Sequence, residues 1–164
     1  MCLAQVNDIS ACAENIGQKE TLAPNFVMFR DGEMKYYIAS SLNNSEQVNL
    51  AAAALKKHNR TYDWTLHGDV RSQGSDRLSS VSVNELRAVE DADFVLVLLP
   101  GGKGTHTELG AALAHKRKVL LWSSSGEEFN CVGSCEHVCA FYFHPAAERL
   151  VCPFESLLER LRTL

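Results

Sequence analysis

No stretch of the 164-residue chain is apolar for long enough to cross a membrane: the longest such run, FVLVLLP at 94–100, falls far short of the ~20 residues a spanning helix needs. A basic N-terminal leader is missing too, since MCLAQVNDISACAENIGQ holds acids where a signal peptide has lysine or arginine. These absences predict a cytoplasmic protein with no membrane partner. Excess positive charge is also lacking. With 16 Lys and Arg against 20 Asp and Glu, the formal net charge is −4, and no polybasic field is present to attract a phosphate backbone. A nucleic-acid partner is therefore not expected.

Six cysteines are present, but the CxxC pairs of common zinc sites are not. Cys131, Cys135 and Cys139 recur at four-residue intervals with His137 and His144 nearby. That spacing favours packed or surface thiols over a metal site. In a chain without an export signal they are expected to be reduced. Two phosphate-binding signatures fail on spacing: PGGKGT at 100–105 lacks the four residues between Gly and Gly-Lys of a P-loop, and the third glycine of GxGxxG. No ATPase or dinucleotide cofactor is implied, and no other cofactor is expected. Internal repeats and low-complexity tracts are absent.

What the chain does contain is 46% hydrophobic and 22% charged residues, the balance of a globular protein able to bury one core. Residues 1–34 show no sustained period, whereas from Lys35 apolar strands alternate with amphipathic helices. An N-terminal extension (1–34) and one α/β domain (35–164) follow. KYYIAS (35–40) reads as a strand, NSEQVNLAAAALKKHN (44–59) as a helix, and YDWTL (62–66) as a second strand. A polar loop with two glycines, HGDVRSQGSDRLS, is long enough to be functional and leads to a helix over about 80–92. DFVLVLL (93–99) is continuously apolar, as a central parallel strand covered on both faces would be. THTELGAALAHK (105–116) then reads as a helix and KVLLWSS (118–124) as a strand. HVCAFYFH (137–144) is expected to be a fifth strand, and PFESLLERLRTL (153–164) a helix with Leu157, Leu158, Leu161 and Leu164 along one side. Such alternation predicts a three-layer flavodoxin-like or Rossmann-like sandwich, a mainly parallel five-stranded sheet with ligands at its C-terminal edge.

The strand at 93–99 delivers three glycines to that edge. Their backbone N–H groups can approach a ligand closely, and the following helix start favours an anion; a tight strand-to-helix turn accounts for them equally well. Thr105-x-x-Glu108 fits a capping box, in which the glutamate returns to the cap amide. On the preceding helix Val81, Glu85 and Val89 fall at i, i+4 and i+8, which sets Glu85 in an apolar stripe with Leu86. A carboxylate there either reaches water at the stripe's border or lines a polar site. Two carboxylates from helices flanking one strand would be the minimum equipment for glycosidic-bond chemistry. His106, on the first helical turn, is expected to be an exposed histidine rather than a phosphate contact.

Three segments in order, KYYIASSL, ELRAVEDADFVLVLLP and GKGTHTELGAALAHKRKVLL, resemble the nucleoside 2-deoxyribosyltransferases and their relatives, the deoxynucleoside 5′-monophosphate N-glycosidases. The resemblance covers roughly residues 35–124. It implies that Glu108, the glutamate of G-T-x-x-E-L-G, is the nucleophile at C1′ of a nucleoside or nucleotide, assisted by Glu85. It also implies that Tyr37, Ser40, Gly102, Gly104 and Thr105 contact the substrate, and that the protein is a homodimer or larger homo-oligomer. Two positions depart from the pattern: Glu85 stands where aspartate is usual, and Gly102 where transferases often carry an acid. PGGKGTHTE also satisfies the signature of the cytokinin-activating phosphoribohydrolases, although Asn84 and Leu109 stand where that family usually has arginine and a second glutamate. A non-catalytic nucleotide-binding module is the remaining alternative.

Overall fold

The computed structural model describes residues 32–131 and 138–164. Nine main elements follow in order: β1 (Lys35–Ala39), α1 (Ser45–Ala54), β2 (Asn59–Arg60), α2 (Ser75–Asp91), β3 (Phe94–Leu98), α3 (Lys103–Ala114), β4 (Lys118–Ser123), β5 (Ala147–Val151) and α4 (Phe154–Arg162). The strands form one sheet in the order β2-β1-β3-β4-β5, every pair parallel. Helices α1 and α4 pack together, as do α2 and α3, so the sheet is covered on both faces in the expected three-layer α/β arrangement.

The apolar run at the centre explains the layering. All five residues of β3 are buried, and Val95 lies in register between Tyr37 of β1 and Val119 of β4. A strand with no polar face is stable only when helices cover both sides, and each Val or Leu so buried contributes ~1.5–3 kcal/mol. Val48, Ala51 and Leu55 from the first helical segment, Val89 and Ala92 from the second, Leu109 and Ala112 from α3, and Leu157 and Leu161 from α4 complete the core.

Chain order places the crevice. After β1 the chain moves outward to β2, then crosses back to form β3 on the other side of β1. The connections leaving β1 and β3 therefore diverge at the C-terminal edge, and open α/β sheets bind ligands at such a switch.

Several sequence expectations are corrected. The predicted strand 62–66 is a single 3-10 turn at Trp64–Leu66, and the second strand is two residues long, at Asn59–Arg60, where α1 was expected to continue. Trp64 turns inward and donates from Nε1 to the Ile38 carbonyl at 2.8 Å, a contact that replaces strand pairing. The described part of the predicted strand 137–144 forms a 3-10 turn at Ala140–Phe143, with Phe141 and Phe143 exposed. The fifth strand is AERLV at Ala147–Val151. Aromatic content suggested the wrong segment because pairing with β4, rather than local propensity, selects the strand. Helix α2 begins at Ser75, directly after Gly74 at φ 88°, and Leu86, expected in its apolar stripe, is exposed. Cys135 and His137 lie outside the described residues.

Candidate active site

The chain leaves β3 at Leu98 and starts α3 at Lys103, so Gly102, not Thr105, is the residue preceding the helix. Thr105 is the third helical residue. Its Oγ1 accepts the Gly102 N–H at 3.1 Å, thereby taking the returning part of the cap that the sequence had suggested for Glu108. Thr105 also packs beneath Gly101, where an added Cβ would meet Thr105 Cγ2 at 2.6 Å; a residue without a side chain is required there.

Glu108 is thus free of capping, and its carboxylate points towards the sheet. Its Oε1 accepts a hydrogen bond from the Tyr37 hydroxyl at 2.5 Å. Tyr37 comes from β1 and is completely buried, whereas Glu108 retains 6% exposure. Burial raises the Glu108 pKa to about 8, with the Tyr37 hydrogen bond working in the opposite direction and the charge of Glu85 adding to the rise. Glu85 is half-buried and also raised, chiefly by burial, while His67 draws it down. The Tyr37 hydroxyl is pushed well above its ordinary value by burial, then by Glu108 and Glu85. Near neutrality Glu108 therefore favours its protonated form, and the Glu108–Glu85 pair does not carry two full charges.

Glu108 and Glu85 face one cavity of about 590 Å³. Ser40, Gly102, Gly104 and Thr105 line it as well, so six of the seven sequence-predicted site residues share its wall. Tyr37 does not; it reaches the cavity through Glu108. The Ser40 hydroxyl is occupied within the protein, donating to the Leu98 carbonyl at 2.8 Å and accepting from Asn44 Nδ2 at 2.9 Å. It ties the end of β1 to the end of β3.

The remaining wall was only partly legible. Ser41, Leu42 and Asn43 continue the rim after Ser40; Leu78 and Val81 of α2 supply apolar surface beside Glu85. Trp64 and the segment from His67 to Arg71 complete the lining. The length and polarity of that loop signalled a functional segment but not which residues face inward. His67 bonds through Nδ1 to the Gly68 carbonyl at 3.0 Å, which requires the hydrogen on that nitrogen. Arg71 and Lys103 bring cations to the wall, Arg71 held by Asp69 through Nε at 2.8 and 2.9 Å. His106 is not the exposed histidine expected: it is half-buried, with both ring nitrogens bonded to protein groups.

Among the described residues no group of three His, Cys, Asp or Glu is placed to hold a metal ion. Among them, too, no helix is long and apolar enough to cross a membrane.

No family model matches the chain, and no curated protein matches it. Solved structures do. The CMP N-glycosidase BcmB of Clostridium botulinum superposes with a TM-score of 0.53 over 79% of this chain and 98% of its own, at 14% identity. A conserved protein from Enterococcus faecalis V583 superposes with a TM-score of 0.50 over 80% of this chain and 99% of its own, at 16% identity. The chain therefore shares its fold with a nucleotide N-glycosidase.

Proposed function

We propose that the protein cleaves, or transfers at, the N-glycosidic bond of a 2′-deoxynucleoside or its 5′-monophosphate, through a covalent glycosyl-enzyme on Glu108. The observation that carries this reading is the placement of Glu108: a buried carboxylate at the switch point of the sheet, held by the Tyr37 hydroxyl and sharing one cavity with Glu85. The likeness in fold to a CMP N-glycosidase supports the same bond class.

In this mechanism the ionised Glu108 attacks C1′ as the bond from C1′ to the base nitrogen breaks, and the base departs with the bonding electrons. Glu85, with its pKa raised by burial, donates a proton to the departing base. Water then attacks C1′, loses its proton to Glu85 and releases Glu108; a second base in place of water gives transfer. Tyr37 fixes the reactive carboxylate and steadies its charge when C1′ is released. The turn from Gly102 to Thr105 and the start of α3, with Lys103 beside it, suit the sugar and a 5′-phosphate. Leu42, Leu78 and Val81 offer an apolar surface to the base. The protein works as a homo-oligomer without a cofactor.

A second reading has its own support: CMP, named for the Clostridium botulinum enzyme, is a ribonucleotide, and PGGKGTHTE fits the phosphoribohydrolase signature. Wild type and Glu108→Ala are incubated with deoxynucleosides, deoxynucleotides and ribonucleotides, and free base is followed by chromatography. Base release by wild type alone, with a sugar adduct on Glu108 detected by mass spectrometry, is the expected result. Equal release by both proteins overturns the nucleophile. Release from ribonucleotides alone favours the second reading, and binding without release makes the protein a nucleotide-binding module.

A further inference from the structure

The α3 turn is held from outside the cavity as well as from within. The Gly102 carbonyl accepts two hydrogen bonds from the same residue: the His106 backbone N–H at 3.2 Å and the His106 ring through Nδ1 at 2.7 Å. A carbonyl only accepts, so Nδ1 carries the hydrogen; in the neutral ring Nε2 is then an acceptor, and the Tyr142 hydroxyl donates to it at 2.8 Å. The Tyr142 ring stacks on the imidazole at 5.6 Å between centroids, and Phe129 meets Tyr142 edge-on at 5.9 Å. Neither His106 nor Tyr142 lines the cavity.

Both halves of the Gly102 linkage are consequently fixed by side chains: its N–H by Thr105 and its carbonyl by His106. Nothing lies within 4 Å of a Cβ placed on Gly102 or Gly104, so the space on that side of both residues is open. At Gly102 the hydrogen bonds with Thr105 and His106 are the contacts that locate the linkage.

We infer that His106 and Tyr142 form a positioning pair that sets the ligand-facing turn Gly101–Gly104 through the Gly102 carbonyl. The pair touches no substrate and takes no proton in the reaction. It presents the turn's amides in one arrangement, so that binding does not have to order them. The segment containing Tyr142, far along the chain, thereby contributes to a site otherwise built before residue 109. As a role at that site the inference rests on the N-glycosidase reading; as a statement about the turn it does not.

Two measurements on His106→Ala, Tyr142→Phe and His106→Asn test it. Amide hydrogen exchange by NMR reports the turn without any substrate. His106→Ala is expected to speed exchange at Gly102–Thr105 while β3 stays protected, Tyr142→Phe to do so less, and His106→Asn, whose side-chain amide can reach the same carbonyl, to restore protection. On a nucleotide that the wild type cleaves, His106→Ala is expected to raise KM about tenfold with kcat within about twofold, since binding rather than the chemical step is affected. His106→Asn should recover most of that KM. Unchanged exchange at Gly102–Thr105 in both His106→Ala and Tyr142→Phe, or a fall in kcat at constant KM, overturns the inference. If wild type cleaves no nucleotide, the glycosidase reading fails, and the exchange result alone decides the pair.

Discussion

The Tyr37 hydroxyl on β1 donates to the Glu108 carboxylate on α3, joining residues 71 positions apart across the point where the strand order reverses. The bond favours the ionised carboxylate against burial, which pulls the other way. Because Glu108 must be ionised to attack and Glu85 must hold its proton to donate it, kcat/KM should follow a bell in pH, with the rising limb set by Glu108 and its pKa of about 8. Tyr37→Phe removes the one influence that lowers this pKa, so the rising limb should move to higher pH. A hydrogen bond to a charged group is worth ~1.5–3 kcal/mol, which predicts a ten- to hundredfold loss at pH 7. A pH–rate profile checks both the shift and the loss; an unmoved limb would show that Tyr37 only packs.

Glu108→Gln should abolish base release yet stabilise the fold at alkaline pH. The folded-state pKa of Glu108 is raised from 4.5 to about 8, so between those values the native state holds a proton that the unfolded state has lost. Its contribution to stability is therefore fully present below pH 4.5 and falls as pH rises towards 8, by up to ~1.4 kcal/mol per pH unit. Denaturant titrations at several pH values should show this slope in wild type and not in the Gln variant. Parallel curves for the two proteins would contradict the buried, proton-holding carboxyl.

Glu85→Gln separates two effects of one residue. Removing its negative charge should lower the Glu108 pKa and shift the rising limb of the pH profile towards acid. Removing the acid should slow departure of the base, by ~10²–10⁴-fold for a poor leaving group. Substrates whose base leaves readily without protonation should lose far less. The comparison is made with a series of bases of graded basicity, and a uniform loss across the series rules out proton donation.

The two adjacent glycines before α3 should respond differently to alanine. At Gly101 the new methyl would collide with Thr105 Cγ2 and Cβ, at 2.6 and 2.8 Å, and such overpacking costs about 1–3 kcal/mol. At Gly102 a Cβ meets nothing within 4 Å and φ is −95°, so thermal stability should be nearly unchanged. Differential scanning calorimetry distinguishes them, and equal melting temperatures would remove the stated reason for glycine at 101.

Where one physical signal acted alone, the sequence was informative. The uniform apolarity of 94–98 identified the central strand, and the spacing of Val81, Glu85 and Val89 identified the inward face of α2, with Val81 and Val89 buried and Glu85 at the cavity. Where local preference competed with tertiary contacts, it misled. Trp64 looked like a strand residue but is fixed by one hydrogen bond to Ile38, and Phe141 and Phe143 gave a strand-like run to a segment whose described residues pair with no strand of the sheet. Glu108 shows the third case. Thr-x-x-Glu has the same spacing whether the helix begins at the threonine or two residues before it, and only the actual start, at Lys103, turns the carboxylate towards Tyr37. The contact from Tyr142 to His106 has no local signature, because its partners are 36 residues apart.

The lining of the cavity is not held equally throughout. Glu108 stands on a helix braced by the central strands, whereas Arg71 is held by a carboxylate two positions away, with side-chain exposures of 77% for Arg71 and 46% for Asp69. A pair so placed contributes little to folding, so Asp69 and Arg71 can be exchanged at small thermodynamic cost. Substitutions at Asp69 and Arg71 can therefore reshape the lining of the cavity while leaving the bond between Glu108 and Tyr37 untouched.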